Sequence, residues 1–359
     1  MGRTATAILN TENLLHNLSI IKSHAPQSAI MAMIKANAYG HGLRSSALRL
    51  DGHVERFGVA SIDEALALRK VGIKAKITLM EGVFEPSELL SAALENLEVV
   101  FHSKEQLSWL EKTILPVPLA AWLKVDTGMG RLGFSMSEAQ AALGRLSLCH
   151  VQNPVGIMSH LACADEREHT HNIFQIERFQ ALVANFSGPK SLNNSAAIFN
   201  FPASNYDLVR PGLALYGVSP ILGVLASDLL LKPVMTLKTS LISVRHEKKH
   251  AFVGYGGTYS CPEDMPVGIM AMGYGDGYPQ KNPNNTPVLV NNTRCQVIGR
   301  VSMDMAAVDL RACPHAQVGD AVTLWGEALA LEEIAHHTGR TAYDLLCAVQ
   351  SRVKFYWTR

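Results

Sequence analysis

From about residue 11 to residue 230 the chain alternates short apolar, β-branched runs with longer helical patterns, and does so eight times. A parallel strand needs a long crossover to reach its neighbour and is covered on both faces, so this alternation is the pattern of consecutive βα units. The runs lie at 30–34, 57–60, 75–80, 98–101, 120–125, 155–159, 190–192 and 206–209, the last two carrying the least pattern. Ser61-Ile62-Asp63-Glu64 and Ser103-Lys104-Glu105-Gln106 read as capping boxes directly after a strand, which supports the phasing. Eight such units predict an N-terminal (β/α)8 barrel of the TIM type over residues 1–232.

After Pro233 the texture changes to alternating apolar and polar residues broken by Gly and Pro, with Asn291-Asn292-Thr293 placed as a hairpin turn. This predicts a C-terminal, mainly β-strand domain over 233–359, with helical stretches near 331–337 and 342–351 and a strand-like tail, VKFYW. Residues 1–10 are candidates to pair with that domain. A chain of 359 residues suits one barrel-sized unit and a smaller one.

Lys+Arg number 32 against Asp+Glu 31, so there is no cationic surplus to grip a polyanion, and nucleic acid is excluded as a partner. No segment approaches the ~18 apolar residues of a membrane span, and the first residues lack a signal-peptide core, so a cytoplasmic, membrane-free protein is expected. The six cysteines are scattered without a Cys-x-x-Cys, as expected of free thiols. His160, Cys163, His169 and His171 are interleaved with acidic residues and lack the tight ligand pairs of a zinc framework, so no metal is expected.

Barrel active sites lie at the carboxyl ends of the strands. The polar residues leaving the strands here are Lys35, Ser61, Glu81, His102, Lys124 with Asp126, His160, Asn194 with Ser195, and Arg210. Lys35 ends an apolar run and opens a small, glycine-punctuated loop, a setting in which a lysine amine can attack a carbonyl and form a Schiff base. The loops after strands seven and eight are a common phosphate site, and Asn194-Ser195 with Arg210-Pro211-Gly212-Leu213 offers a hydroxyl and backbone N–H groups there. Simpler roles exist for single residues: Tyr255 and Tyr274 could each cover a hairpin, His160 could be a structural histidine, and Arg210 could pair with Asp207.

Taken together, KANAYGHG (35–42), LKVDTGMGRLGF (123–134), MSH (158–160), NNSAA (193–197), VRPGLALYG (209–217), VGYGGTY (253–259), MGYGDGYP (272–279) and GRVSMDM (299–305) resemble the bacterial alanine racemase family nearly end to end. The resemblance implies a pyridoxal 5'-phosphate (PLP) enzyme that interconverts L-alanine and D-alanine, supplying D-alanine for peptidoglycan. By the same resemblance, Lys35 holds PLP as an aldimine and is one acid/base, and Tyr255 is the opposing base. Tyr39, Asn194, Ser195 and the amides of Gly212 and Leu213 match the cofactor's phosphate end, Arg210 the residue facing the pyridine nitrogen, and His160 the residue bonded to that arginine. Arg131 matches the contact to the phenolic oxygen and Lys124 a lysine that can be carbamylated to hold it. Met303 and Tyr274 match positions that line substrate access and bind its carboxylate. The family also implies a head-to-tail homodimer in which Tyr255 reaches the partner's cofactor. Ser351 stands before Arg352-Val353 where some members carry tyrosine.

The chemistry is consistent with those roles. An arginine donates a hydrogen bond but not readily a proton, so Arg210 would keep a pyridine nitrogen unprotonated. A barrel-type decarboxylase would need an acidic partner there, and a cofactor-holding module without turnover would not need a β domain carrying Tyr255.

Overall fold

The structure, a computed structural model, describes residues 3–359. All eight apolar runs form strands: Ala29–Met33, Arg56–Val59, Lys76–Leu79, Leu97–Phe101, Ala120–Lys124, Gly156–Met158, Lys190–Ser191 and Leu208–Val209. They pair in parallel in chain order, and Leu208–Val209 returns to pair with Ala29–Met33. The ring closes through a parallel bridge between Asn194 and Arg210, where the Arg210 N–H donates to the Asn193 carbonyl at 3.0 Å. The two weakly patterned runs are two-residue strands, because the chain turns out of the sheet at this closure.

Side-chain size is matched across the barrel wall. A Cβ on Gly58 would stand 2.5 Å from the Met33 sulfur, and one on Gly156 2.3 Å from the Trp122 ring, so each glycine makes room for a large neighbour. The buried Glu98 carboxylate is satisfied across neighbouring strands by Thr78 Oγ1 at 2.6 Å, Arg56 Nε at 3.1 Å and Trp122 Nε1 at 3.2 Å. Ser61 and Ser103 cap their helices, accepting from the N–H of Glu64 and Gln106. The return bond differs from a standard capping box. Glu64 and Gln106 accept the N–H of Ala60 and His102, one residue before the cap, which ties each helix start to its strand end.

The turn that leaves the first strand is left-handed over four consecutive non-glycine residues: Ala36, Asn37, Ala38 and Tyr39 have φ of 53°, 55°, 54° and 52°. Each such residue costs roughly 1–2 kcal/mol, so the turn persists only where its surroundings enforce it. Asn37 Oδ1 accepts from Leu43 N–H at 2.9 Å, and the Asn37 carbonyl accepts from Gly42 N–H at 2.9 Å. The imidazole of His41 is buried beneath the turn, its Nδ1 donating to the carbonyls of Tyr39 at 2.9 Å and Ala38 at 3.1 Å. Those two carbonyls place the proton on Nδ1.

In the C-terminal region six antiparallel strands close on themselves. Met235–Glu247 pairs with both Met265–Met270 and Ala321–Trp325, and Ala306–Asp309, Thr293–Ile298 and Thr286–Val290 complete the circuit. Asn291 and Asn292 have φ of 48° and 64°, both positive as a two-residue type I′ hairpin requires. Thr6–Asn10 pairs antiparallel with Met235–Glu247 and parallel with Lys354–Thr358. By compactness, one unit takes the chain up to Asn17, Tyr216–Val218 and Leu225–Arg359, and the other takes Leu18–Leu215 and Ser219–Val224. The segment before Pro233 is thus divided: Lys232 exchanges bonds with the Asn17 side chain at 2.7 and 2.8 Å and belongs to the C-terminal unit. Among the described residues no helix is long and apolar enough to cross a membrane.

Burial pushes the His41 imidazole down to about 4, against the opposing effect of its two carbonyl bonds. The unfolded chain then binds a proton below about pH 6.5 that the folded chain refuses until about pH 4, so stability falls as pH falls through that window. The contribution of this one group is on the order of 3 kcal/mol. Urea midpoints measured at pH 7 and pH 4.5 should drop less in His41→Gln than in the parent, although the variant is weaker at pH 7. An equal drop in both would mean that the imidazole is not buried in its neutral form.

Candidate active site

Arg210 leaves the last barrel strand and is buried. An isolated guanidinium could not sit there, but the ends of the neighbouring strands surround it with acceptors. Nη1 donates to Ser191 Oγ, and Nη2 to the carbonyls of Ser159 and of Leu192, the latter at 3.0 Å. Nη2 also lies 3.2 Å from His160 Nδ1. An arginine can only donate, so His160 Nδ1 accepts, while Nε2 lies 3.5 Å from Asn194 Nδ2. Burial lowers Arg210 to about 10, which leaves it charged near neutral pH. His160 is held well below its ordinary value by burial first, then by Arg210, Lys124, Arg131 and Lys35, and is neutral. Asp207 instead pairs with Lys190 at 3.9 Å, so Arg210 is not its partner.

Beside the guanidinium, the loops after the seventh and eighth strands meet. Asn194 caps the helix Ser195–Asn200 through Oδ1, which accepts the Ala197 N–H at 3.0 Å. Ser195 Oγ accepts the N–H of Gly212 at 2.8 Å and of Ala214 at 3.3 Å. Leu213 follows, buried at the start of the 3-10 turn Leu213–Tyr216. A Cβ on Gly212 would stand 2.4 Å from the Tyr39 hydroxyl, so glycine is what lets the tyrosine of the left-handed turn reach this corner. Two hydroxyls meet there, with the Gly212 and Ala214 N–H groups turned toward Ser195 Oγ.

At the end of the first strand, beside the last, Lys35 Nζ lies 3.6 Å from Glu81 Oε1. His102 Nε2 lies 3.0 Å from the Glu81 carbonyl, which only a donor can bond, and burial holds this imidazole below its ordinary value. Lys124 ends its strand with little exposure and is lowered to about 8, by burial first and then by Arg210, Arg131 and Lys35, with Glu81 opposing. The loop that presents the exposed Arg131 is shaped by Asp126, whose carboxylate accepts the N–H groups of Gly128, Met129 and Gly130 at 2.8, 2.8 and 2.9 Å. Gly133, at φ +130°, closes that loop against the strand, where a Cβ would be 2.7 Å from the Asp126 nitrogen. Ser61 is taken up as a helix cap, and His171 as a loop brace donating to the Gly128 carbonyl at 2.8 Å.

The other three candidates belong to the C-terminal unit. Tyr255 sits in the turn of the small hairpin Phe252–Val253 and Tyr259–Ser260, among Gly254, Gly256 and Gly257 at φ of 74°, 73° and 56°. It is 68% exposed, whereas Tyr259 packs on the cluster of Val253, Cys261, Met265, Val267, Ile298 and Ala307. The covering role therefore falls to Tyr259. Tyr274 is partly exposed while Tyr278 in the same motif is in the core, and Met303 is exposed. Ser351 lies in an exposed turn.

Sequence reasoning singled out neither Asn37 and His41, which enforce the turn after Lys35, nor Ser159 and Ser191, which feed Arg210. The signal for the first pair was a lone asparagine and histidine inside a glycine-bounded loop; for the serines, polar residues at strand ends in otherwise apolar runs.

Residues 9–220 match the family of alanine racemase N-terminal domains, and residues 234–357 that of the C-terminal domains. The chain is 49% identical over 358 residues to an alanine racemase of Coxiella burnetii, covering 98% of each chain. It is 44% identical over 356 residues to that of Legionella pneumophila, covering 99% of this chain and 100% of the relative. The crystal structure of the biosynthetic alanine racemase from Pseudomonas aeruginosa superposes with a TM-score of 0.97 at 40% identity, covering all of both chains. That of alanine racemase from Acinetobacter baumannii gives 0.94 at 36% identity, covering 99% of this chain and 100% of the other. With both domains matched and relatives this similar along its length, the chain belongs to the alanine racemase family.

Proposed function

We propose that this chain interconverts L- and D-alanine with pyridoxal phosphate bound in the barrel mouth. The observation that carries the reading is the buried Arg210, held by strand-end acceptors and by His160 and standing next to the cradle of Ser195, Gly212 and Tyr39. That cradle fits a phosphate: hydroxyls and N–H groups converge where a Cβ would leave no room. Lys35 is the amine available to a carbonyl, with Asn194, Leu213 and Arg131 completing the contacts to the ligand. When bound, the cofactor supplies an electron sink that acidifies the substrate's Cα–H.

The chain's own residues decide how that sink is used. Arg210 spends Nη2 and one Nη1 hydrogen on the strand ends, so its Nε–H and the second Nη1–H are the donors left for a ring nitrogen, and it gives up no proton near neutral pH. A weak sink suppresses side reactions and makes proton transfer the main outcome. Lys35 moves the proton on one face and the Tyr255 hydroxyl on the other, with Tyr255 contributed by a second copy of the chain. Tyr274 and the Met303 backbone bind the substrate carboxylate and narrow its access, which keeps the substrate small. D-alanine made this way serves peptidoglycan synthesis.

Borohydride reduction of the PLP-loaded protein, followed by peptide mapping, should place the pyridoxyl group on Lys35, and L-alanine should yield D-alanine. A label on Lys124, or none, would remove the basis of the site.

Lys124 near 8 is partly the free amine above neutral pH, and an amine takes up carbon dioxide to give a carbamate and a released proton. The carbamate would face Arg131. Protein equilibrated with 13C-bicarbonate should show a carbamate carbon signal that strengthens from pH 7 to pH 9 and is missing in Lys124→Gln; a signal that persists in the variant would assign it elsewhere.

Inactive Lys35→Ala and Tyr255→Phe chains, refolded together, should recover roughly a quarter of wild-type activity, since random pairing makes half the dimers mixed and gives each mixed dimer one complete site. Confirmed mixed dimers without activity would return Tyr255 to its own chain or to no role.

A further inference from the structure

In the C-terminal unit, the Asp276 carboxylate is wholly buried, and both guanidinium groups that satisfy it come from distant parts of the chain. Its Oδ1 accepts from Arg3 Nε at 2.7 Å and lies 3.0 Å from Arg352 Nε, and its Oδ2 accepts from Gly273 N–H at 2.8 Å and from Arg3 Nη2. Both arginines also grip Asp304. Arg3 Nη2 donates to its carbonyl at 2.7 Å, and Arg352 Nη2 donates to its Oδ1 at 2.6 Å. Two guanidinium groups thus bracket two carboxylates in a charge-balanced set, Arg3 holding Asp276 in a bidentate fork and Arg352 bridging Asp276 to Asp304.

Asp276 lies two residues after Tyr274, and Asp304 directly follows Met303. The two segments run side by side, with Tyr274 N–H donating to the Ser302 carbonyl at 3.1 Å and Gly275 N–H to the Met303 carbonyl at 2.8 Å. A Cβ on Gly273 would stand 2.3 Å from the Ser302 oxygen, and one on Gly275 2.9 Å from both Arg352 Nη1 and the Met303 oxygen. Glycines permit this approach but do not hold it. Tyr274 is 37% exposed and Met303 53%.

We propose that Arg3 and Arg352 are positioning residues that clamp Asp276 and Asp304, and so set the placement of Tyr274 and Met303 for binding substrate. The proposal rests on the reading that those two residues contact substrate. Uniform substrate binding shows in KM rather than in kcat. Arg3→Met and Arg352→Met in the PLP-loaded enzyme should therefore raise KM for L-alanine about tenfold while kcat changes less than about twofold. Arg3→Lys, which keeps the charge but loses the fork, should fall between parent and Arg3→Met. The visible absorbance of the bound cofactor should be kept, and hydrogen exchange at the Tyr274 and Gly275 amides should speed up while that of Leu237 in the adjoining sheet stays protected.

If Tyr274→Phe raises KM but Arg3→Met alters neither KM nor exchange, the clamp is overturned and the substrate reading stands. If Tyr274→Phe leaves KM unchanged, the substrate reading fails, and exchange in Arg3→Met still decides whether the clamp orders the two segments. Parallel loss of kcat, KM and cofactor absorbance in Arg3→Met would mark a merely structural role and overturn the proposal. Should Arg3→Met not accumulate as folded protein, Arg3→Lys carries the same test.

Discussion

A guanidinium buried at the seam of a closed sheet must be fed by acceptors, and in this chain the seam itself feeds it. Arg210 bridges to Asn194 to close the barrel, and its side chain takes the strand-end carbonyls of Ser159 and Leu192 together with Ser191 Oγ. The closure and the electrostatics of the barrel mouth are therefore one construction. His160 is neutral through its burial first and then through the charge of Arg210, which donates to its Nδ1, and the lowered Lys124 follows in part from the same positive charge.

The left-handed turn after the first strand shows the opposite balance. Locally it is unfavourable at four residues, and it holds because Asn37 and His41 take its backbone groups. What the strain achieves is reach. The turn begins at Lys35 and delivers the Tyr39 hydroxyl to Gly212, so one short segment reaches two corners of the site.

The elements visible in the sequence were those set by local periodicity. Eight runs became eight strands, and the Asn291-Asn292 hairpin took the backbone that two asparagines tolerate. Capping was half legible: the serines cap as their spacing suggests, but the return bonds go to Ala60 and His102, because the side chains of Glu64 and Gln106 reach past the cap to the strand end. The handedness of the turn after Lys35 was not legible, since alanines and a tyrosine give no sign of positive φ without the histidine folded beneath them. Neither was the link from Arg3 to Asp276, which spans 273 positions and leaves no mark on either local pattern. Candidate residues such as Lys35 and Arg210 could be named from motifs, while the partners that fix their geometry are set by tertiary contact.

The parallel pairing of Thr6–Asn10 with Lys354–Thr358 has a consequence for the order in which the protein can be built. Synthesis runs from the first residue to the last, and domains tend to form as their sequence emerges. All eight barrel strands have been synthesised by residue 209, so that sheet can assemble before the C-terminal unit is complete. The C-terminal unit can pair its opening strand with Met235–Glu247 once that strand has emerged, and gains the parallel neighbour only when Lys354–Thr358 follows. Until then Thr6–Asn10 offers an unpaired edge on the nascent chain, a segment that a chaperone or a misplaced strand could occupy.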